Sequence, residues 1–209
     1  MVQAVPASQI TLPDLQDSFG LTRSDDEQFF LEWQTDLPEL TAAEEQAIAE
    51  IKAEYRHLSQ YSMLEPMVKM VVLSPLLKLA KFYQPPFYLA AEKEVAIASE
   101  DDGIVIRGRI DLLVFSPPFW VTVIESKQVA YSVETAIPQA LAYMLSSPNG
   151  AQPAYGFVSN GPTFRFLKLQ RQDTPVYGTS YMFALDRGDD LQQVVKILKQ
   201  LAQTVIQAA

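Results

Sequence analysis

The chain has 209 residues, 48% of them apolar, with 25 acidic and 16 basic side chains, one His and no Cys. Length and apolar content fit one globular domain with at most a small appendage, and exclude wholesale disorder. Zero Cys excludes disulfides, thiolate zinc sites, iron–sulfur clusters and cysteine nucleophiles, and the lone His57 excludes zinc sites that need two or three imidazoles. Metal chemistry would have to run on oxygen ligands, which suit Mg²⁺, Mn²⁺ or Ca²⁺.

Charge is unevenly placed. Residues 1–60 hold 12 acidic and 3 basic side chains, whereas residues 61–209 hold 13 of each. The net −9 therefore lies wholly in the N-terminal segment. It argues against a generic nucleic-acid binder, yet leaves room for a local basic groove in the neutral remainder. The acidic segment reads as a solvated helical face, or as an arm that binds a protein partner or mimics DNA. Met1–Gly20 has neither a basic n-region nor an apolar core. Met67–Ala80 is interrupted by Lys69, Pro75 and Lys78 and is too short to span a bilayer. A cytoplasmic protein without membrane contact is expected.

In chain order, residues 1–24 lack periodicity and read as an extended arm. Asp25–Gln34 reads as a short helix carrying Phe29, Phe30 and Trp33, stopped by Leu37-Pro38. Thr41 and Glu44 form a capping-box pattern, opening a helix over 42–60 with Ile48, Ile51, Tyr55 and Leu58 at helical spacing. Ser62 and Glu65 repeat the capping pattern before a helix that Pro75 kinks and Pro85-Pro86 ends. These two helical stretches divide the chain into an acidic N-terminal arm with helices, 1–60, and a main domain, 61–209.

The period then changes to two. Glu94–Ser99, Ile104–Phe115 and Trp120–Lys127 read as strands, the last apolar on both faces as a central strand would be. Tyr131–Leu145 reads as a helix with Pro138 in its first turn. Ala154–Val158 and Thr163–Leu169 flank Asn160-Gly161, a strong hairpin signal. Val176–Leu185 is a last strand and Asp190–Gln207 a closing amphipathic helix. The order predicts an α/β fold with a mixed central sheet flanked by helices.

The chemistry concentrates in Arg107-Gly-Arg-Ile-Asp111 and Glu125-Ser126-Lys127. Strand alternation places Arg107, Arg109, Asp111 and Leu113 on one face, and Val123, Glu125 and Lys127 on another. Pairing of the two strands across Ser116–Phe119 brings Asp111 opposite or near Glu125. Two close carboxylates repel unless a cation lies between them. A divalent ion held by Asp111, Glu125 and the Ser126 carbonyl answers that need. Lys127 beside it would orient a water or stabilise developing phosphorane charge. The bland alternative is an ion pair of Lys127 with Asp111 or Glu125.

Asp111, thirteen residues, then Glu125-Ser126-Lys127 resembles the PD-(D/E)xK core of restriction-endonuclease-like nucleases. Gln139-Ala-Leu-Ala-Tyr143 is similar to the Gln-x-x-x-Tyr motif of the RecB-like and type I restriction-subunit branches. Val158–Phe166 resembles the hairpin that follows in those domains, and Glu65 falls where relatives place a further acidic residue. Ile110 departs from the family's Pro. The resemblance, over residues 62–170, implies a restriction-endonuclease-like core with an N-terminal helical extension. It implies Mg²⁺- or Mn²⁺-dependent hydrolysis of DNA, with Asp111 and Glu125 on the metal, Lys127 on the attacking water, Gln139 steadying the site or scissile phosphate, Tyr143 packing or hydrogen-bonding beside it, and Glu65 as an extra carboxylate. Arg107 and Arg109 would contact phosphate or pair with Glu92 or Glu94. Arg165, Lys168 and Arg171 would meet the DNA backbone or serve as edge-strand charges. The alternative is a catalytically inactive domain of that fold that binds DNA or a protein partner. A homodimer would suit a nuclease that cuts both strands.

Overall fold

The computed structural model describes residues 3–98, 104–117, 119–126, 130–171 and 173–208. A mixed α/β architecture emerges: one sheet with helices on both faces. The N-terminal segment is not an extended arm. Strand β1 (Gln3–Pro6) leads into helix α1 (Leu12–Phe19), then β2 (Thr22–Arg23). Helix α1 carries its own capping box, in which Thr11 takes Asp14 rather than Glu or Gln as partner, and ends at Gly20 in the left-handed region (φ +65°).

Residues 25–34 form turns instead of the expected helix. Asp26 accepts the Gln28 amide at 2.9 Å, and the Phe29 carbonyl accepts from Lys168 Nζ at 2.8 Å, while Phe30 drops into the core. Side-chain and tertiary partners here take backbone groups that a helix would need. Helix α2 (Ala42–Leu58) starts at Thr41 with the Glu44 capping box in place.

Helix α3 (Glu65–Val68) is preceded by Leu64, not Ser62, at its N-cap. The chain continues without a break through a single π turn (Lys69–Leu73) into α4 (Ser74–Leu79). The Ser74 amide reaches back five residues to the Lys69 carbonyl. Pro75 has no amide hydrogen to continue the regular ladder, so the turn widens beside it.

Strands β3 (Tyr88–Ala98), β4 (Ile104–Ser116) and β5 (Phe119–Ser126) form an antiparallel meander. A 3₁₀ turn (Val133–Ala136) opens α5 (Ile137–Leu145), which crosses over to β6 (Ala154–Ser159), parallel to β5. A hairpin at Gly161 (φ +99°) joins β6 to β7 (Thr163–Arg171). The expected last strand is two: β8 (Pro175–Thr179) and β9 (Phe183–Ala184). They part at Ser180, whose hydroxyl accepts the Phe166 amide at 3.0 Å. Helix α6 (Asp190–Ala208) closes the chain.

The path through the sheet is β1-β4-β5-β6-β7-β8-β2, with β3 also paired to β4 and β9 to β7. On one face α2, α4 and α6 cover Val114, Ile124, Phe157 and Phe166; on the other α1 and α5 cover Ile106, Ile110, Val123 and Leu167. Helix α5 is buried all round except at Pro138. Among the described residues no helix is long and apolar enough to cross a membrane.

The acidic segment is tied to the rest of the chain. Residues 3–6 pair in parallel with 104–107 and residues 22–23 with 176–177. Glu32 pairs with Lys168 at 2.6 Å, Glu44 with Lys199 at 2.7 Å and Glu39 with Lys196 at 3.2 Å. Part of the N-terminal charge excess thus neutralises cations of the main domain.

Candidate active site

The site lies where β4 and β5 run side by side between the two helical layers. Leu112 opposes Ile124 at the end of the ladder; Asp111 and Glu125 are the residues just beyond that pair, and they meet different layers, Glu125 the α5 side and Asp111 the α4 side. Simple alternation does not hold around Asp111. Ile106, Ile110 and Leu113 all belong to the α5-side core, whereas Asp111 and Leu112 line a cleft on the α4 side. Leu113 therefore does not share a face with Asp111. On the facing strand Glu92 has φ +52°, and this irregular point in β3 lies opposite Asp111. The bend turns two successive β4 side chains toward the same layer.

Glu125 is 1% exposed. Gln139 Nε2 donates to its Oε1 at 2.7 Å and to the Tyr143 hydroxyl at 3.0 Å. Gln139 is the only amide in a helix buried on nearly every side, and a buried amide must find partners. The i, i+4 spacing puts Tyr143 beside it one turn on. Beneath them Gly108 leaves room for the phenol: a Cβ there would stand 2.5 Å from the Tyr143 oxygen.

Asp111 is reached from the other layer. Lys69 Nζ sits 3.1 Å from Asp111 Oδ1 and 2.7 Å from Glu65 Oε1. Burial pulls the Lys69 ammonium pKa down, but hydrogen bonding to Glu65 and the charge of Asp111 outweigh it and the net shift is upward. Glu65 thus communicates with Asp111 through a lysine. Sequence reasoning missed Lys69 as a site residue; the Glu65–Lys69 i, i+4 spacing was the available signal.

The two halves meet electrostatically at Tyr143. Burial, the Glu125 charge and then the Asp111 charge push its phenol up to about 12, against the opposing hydrogen bonds from Gln139 and the Arg109 backbone. Burial, with Glu32 beside it, likewise pushes Tyr155 up. An unfolded tyrosine titrates near 10. Stability contributed by keeping Tyr143 protonated is complete below that value and is lost as pH rises from there through about 12, by roughly 2–3 kcal/mol. Urea titrations between pH 9 and 12 should show a falling unfolding free energy, with a shallower fall in Tyr143→Phe; equal slopes would contradict the coupling.

Lys127 lies outside the described residues. Ser126 ends β5 as the neighbour of Ser159 in β6, and its side chain also lies outside them. Among the described residues no group of three or more His, Cys, Asp or Glu is gathered to hold a metal. The described carboxylates still fit a hard cation. An ammonium between Glu65 and Asp111 marks a place where positive charge is held by oxygen on two sides. Mg²⁺ needs only one or two carboxylates when water and phosphate complete its octahedron.

Four of the basic side chains near the sheet are engaged within the fold. Arg109 meets Glu94 at 3.2 Å and Glu92 at 3.9 Å. Arg165 bonds to Glu134 and the Ser180 carbonyl, Lys168 to Glu32, and Arg171 to the carbonyls of Leu145 and Ser147. Arg165, Lys168 and Arg171 are therefore engaged inside the fold rather than presented together as a phosphate-binding row. Arg107 is exposed on β4. No protein-family model and no curated protein matches the chain.

Proposed function

We propose that this chain is a metal-dependent phosphodiesterase of the restriction-endonuclease-like class. Within it the chain acts on DNA through a PD-(D/E)xK site of Asp111, Glu125 and Lys127. The observation that carries this reading is the Glu125–Gln139–Tyr143 network. A carboxylate 1% exposed at the end of a central strand is held by the amide of the Gln-x-x-x-Tyr helix, with Asp111 one residue beyond the last paired position of the neighbouring strand. The order of a helix, a three-strand meander, a crossover helix and a parallel strand supports the same class.

Asp111 and Glu125, with the Ser126 carbonyl and Glu65, would hold Mg²⁺ or Mn²⁺, which requires the Glu125 carboxylate on the α5 side and the Asp111 carboxylate on the α4 side to reach one ion at the end of β5. Held by these oxygens, such an ion would supply a water of lowered pKa and offset charge on the phosphate. Gln139 fixes one Glu125 oxygen through its amide hydrogen, so that the carboxylate keeps one orientation. Lys127 would align the attacking water by hydrogen bonding and offset the negative charge that builds on phosphorus. Hydrolysis adds water across one P–O ester bond, leaving a phosphomonoester on one strand end and a hydroxyl on the other. A cleft of about 260 Å³ lined by Lys69, Ser74, Tyr83, Glu92 and Asp111 opens onto Asp111 from the α4 side.

The direct test incubates purified protein with linear and supercoiled DNA in Mg²⁺ or EDTA. Cleavage in Mg²⁺ that EDTA stops is expected. Intact single- and double-stranded DNA after prolonged exposure in both Mg²⁺ and Mn²⁺ would remove the hydrolytic role. The internal engagement of Arg165, Lys168 and Arg171 removes a basic row for the DNA backbone and so favours a second reading, an inactive domain of this class that binds a protein partner. Protein binding without DNA turnover would select it.

A further inference from the structure

We propose that Lys69 is a built-in, displaceable counter-ion of the metal site: its ammonium holds the cation position between Glu65 and Asp111 and must leave when a divalent ion enters. The inference rests on reading Glu65 and Asp111 as metal-site carboxylates, and extends it to a residue that the motifs do not include.

The geometry is specific. Lys69 Nζ lies 2.7 Å from one carboxylate and 3.1 Å from the other, on side chains only partly open to water. Glu65 and Lys69 are held one turn apart at the start of a continuous helical run. The π turn begins at Lys69 itself, so the backbone carrying the ammonium is set by Pro75 rather than by the ion pair. Two negative groups facing each other need positive charge between them, and here the chain supplies it. A divalent ion bound by the same oxygens would meet a positive neighbour at contact distance, which is strongly unfavourable in a partly buried site. The ammonium must therefore vacate. The adjoining cleft gives it room, and Glu92 on that cleft's wall supplies another carboxylate. A four-carbon stem with rotatable bonds lets a lysine make such a move where an arginine fork would be fixed by two hydrogen bonds. The site would then be neutral enough to stay folded without metal, and would trade Lys69 for a stronger cation when one is present.

Calorimetric titration with Mn²⁺ separates the possibilities. Lys69→Met, which keeps the stem and removes the charge, should bind Mn²⁺ at least roughly tenfold tighter than the unaltered protein. Equal or weaker binding by Lys69→Met, with the unaltered protein binding Mn²⁺, overturns the counter-ion role while leaving the metal site standing. Absence of binding to both proteins overturns the metal site and this inference together. A second measurement needs no variant. Acetic anhydride labelling of the unaltered protein, read by mass spectrometry, should modify Lys69 several-fold faster in saturating Mn²⁺ than in EDTA, while exposed Lys78 stays constant. An unchanged Lys69/Lys78 ratio overturns the displacement even where Lys69→Met fails to fold.

Discussion

Asp111→Asn is expected to lower metal-dependent DNA cleavage by about 10³-fold, equivalent to roughly 4 kcal/mol of transition-state stabilisation, while the protein stays folded. The substitution keeps the shape and removes one negative oxygen ligand. It also removes a partner from Lys69, whose side chain retains Glu65 at 2.7 Å. The pair is partly buried and Lys69 keeps Glu65, so a modest loss of about 1–2 kcal/mol is expected in the thermal unfolding. Glu125→Gln should lose activity similarly but cost more stability. It replaces a buried acceptor that Gln139 holds at 2.7 Å with an amide, one end of which would face the Gln139 donor. Single-turnover assays with matched circular dichroism check both. Asp111→Asn cleaving within a few-fold of the unaltered protein would show that the hydrolytic site lies elsewhere.

The second large effect is structural and reaches the site from below. Gly108→Ala would place a methyl 2.5 Å from the Tyr143 oxygen, 2.7 Å from Ala7 Cβ and 2.9 Å from Tyr143 Cε1. None of these atoms is the far end of a flexible chain. Ala7 is pinned beside β1, and Tyr143 is 2% exposed in a helix packed on all sides. Overpacking of this kind costs about 1–3 kcal/mol. Displacing the phenol also takes an acceptor away from Gln139, the donor that orients Glu125. Denaturant unfolding should therefore report the loss, and cleavage should fall with it. Tyr143→Phe added to Gly108→Ala removes the closest of the three contacts and should recover part of the stability, giving a non-zero coupling in the double-mutant cycle. A Gly108→Ala protein as stable as its parent would mean that the close approach of Tyr143 to β4 is not maintained in solution.

Local signals were sufficient for much of the frame. The capping box at Thr41 and Glu44, the hairpin at Asn160-Gly161 and the apolar run of Val121–Ile124 each state their element within a few residues, because caps, turns and buried strands are set by neighbours in sequence. So is the Gln139–Tyr143 pair, which depends only on helical spacing. The residue types that carry the candidate chemistry, Asp111, Glu125 and Gln139, are likewise legible in the chain.

What only the folded chain decides is which distant groups those residues meet. The pairing of Gln3–Pro6 with Ile104–Arg107 spans about a hundred residues, and no local pattern in the first 24 residues announces it. The turns at 25–34 replace a helix because Lys168, more than a hundred residues away, takes the Phe29 carbonyl. Arg165, Lys168 and Arg171 look like a basic row on one strand until Glu134, Glu32 and backbone carbonyls claim them. The irregularity opposite Glu92 sets Leu112 on the same layer as Asp111, against the alternation that β4 otherwise follows, so Leu113 leaves the face that Asp111 shares with Lys69. Sequence periodicity reports which way a side chain points in a regular element. Charge partners and bends depend on surfaces that meet only after collapse, so the ammonium between Glu65 and Asp111 belongs to the tertiary structure alone.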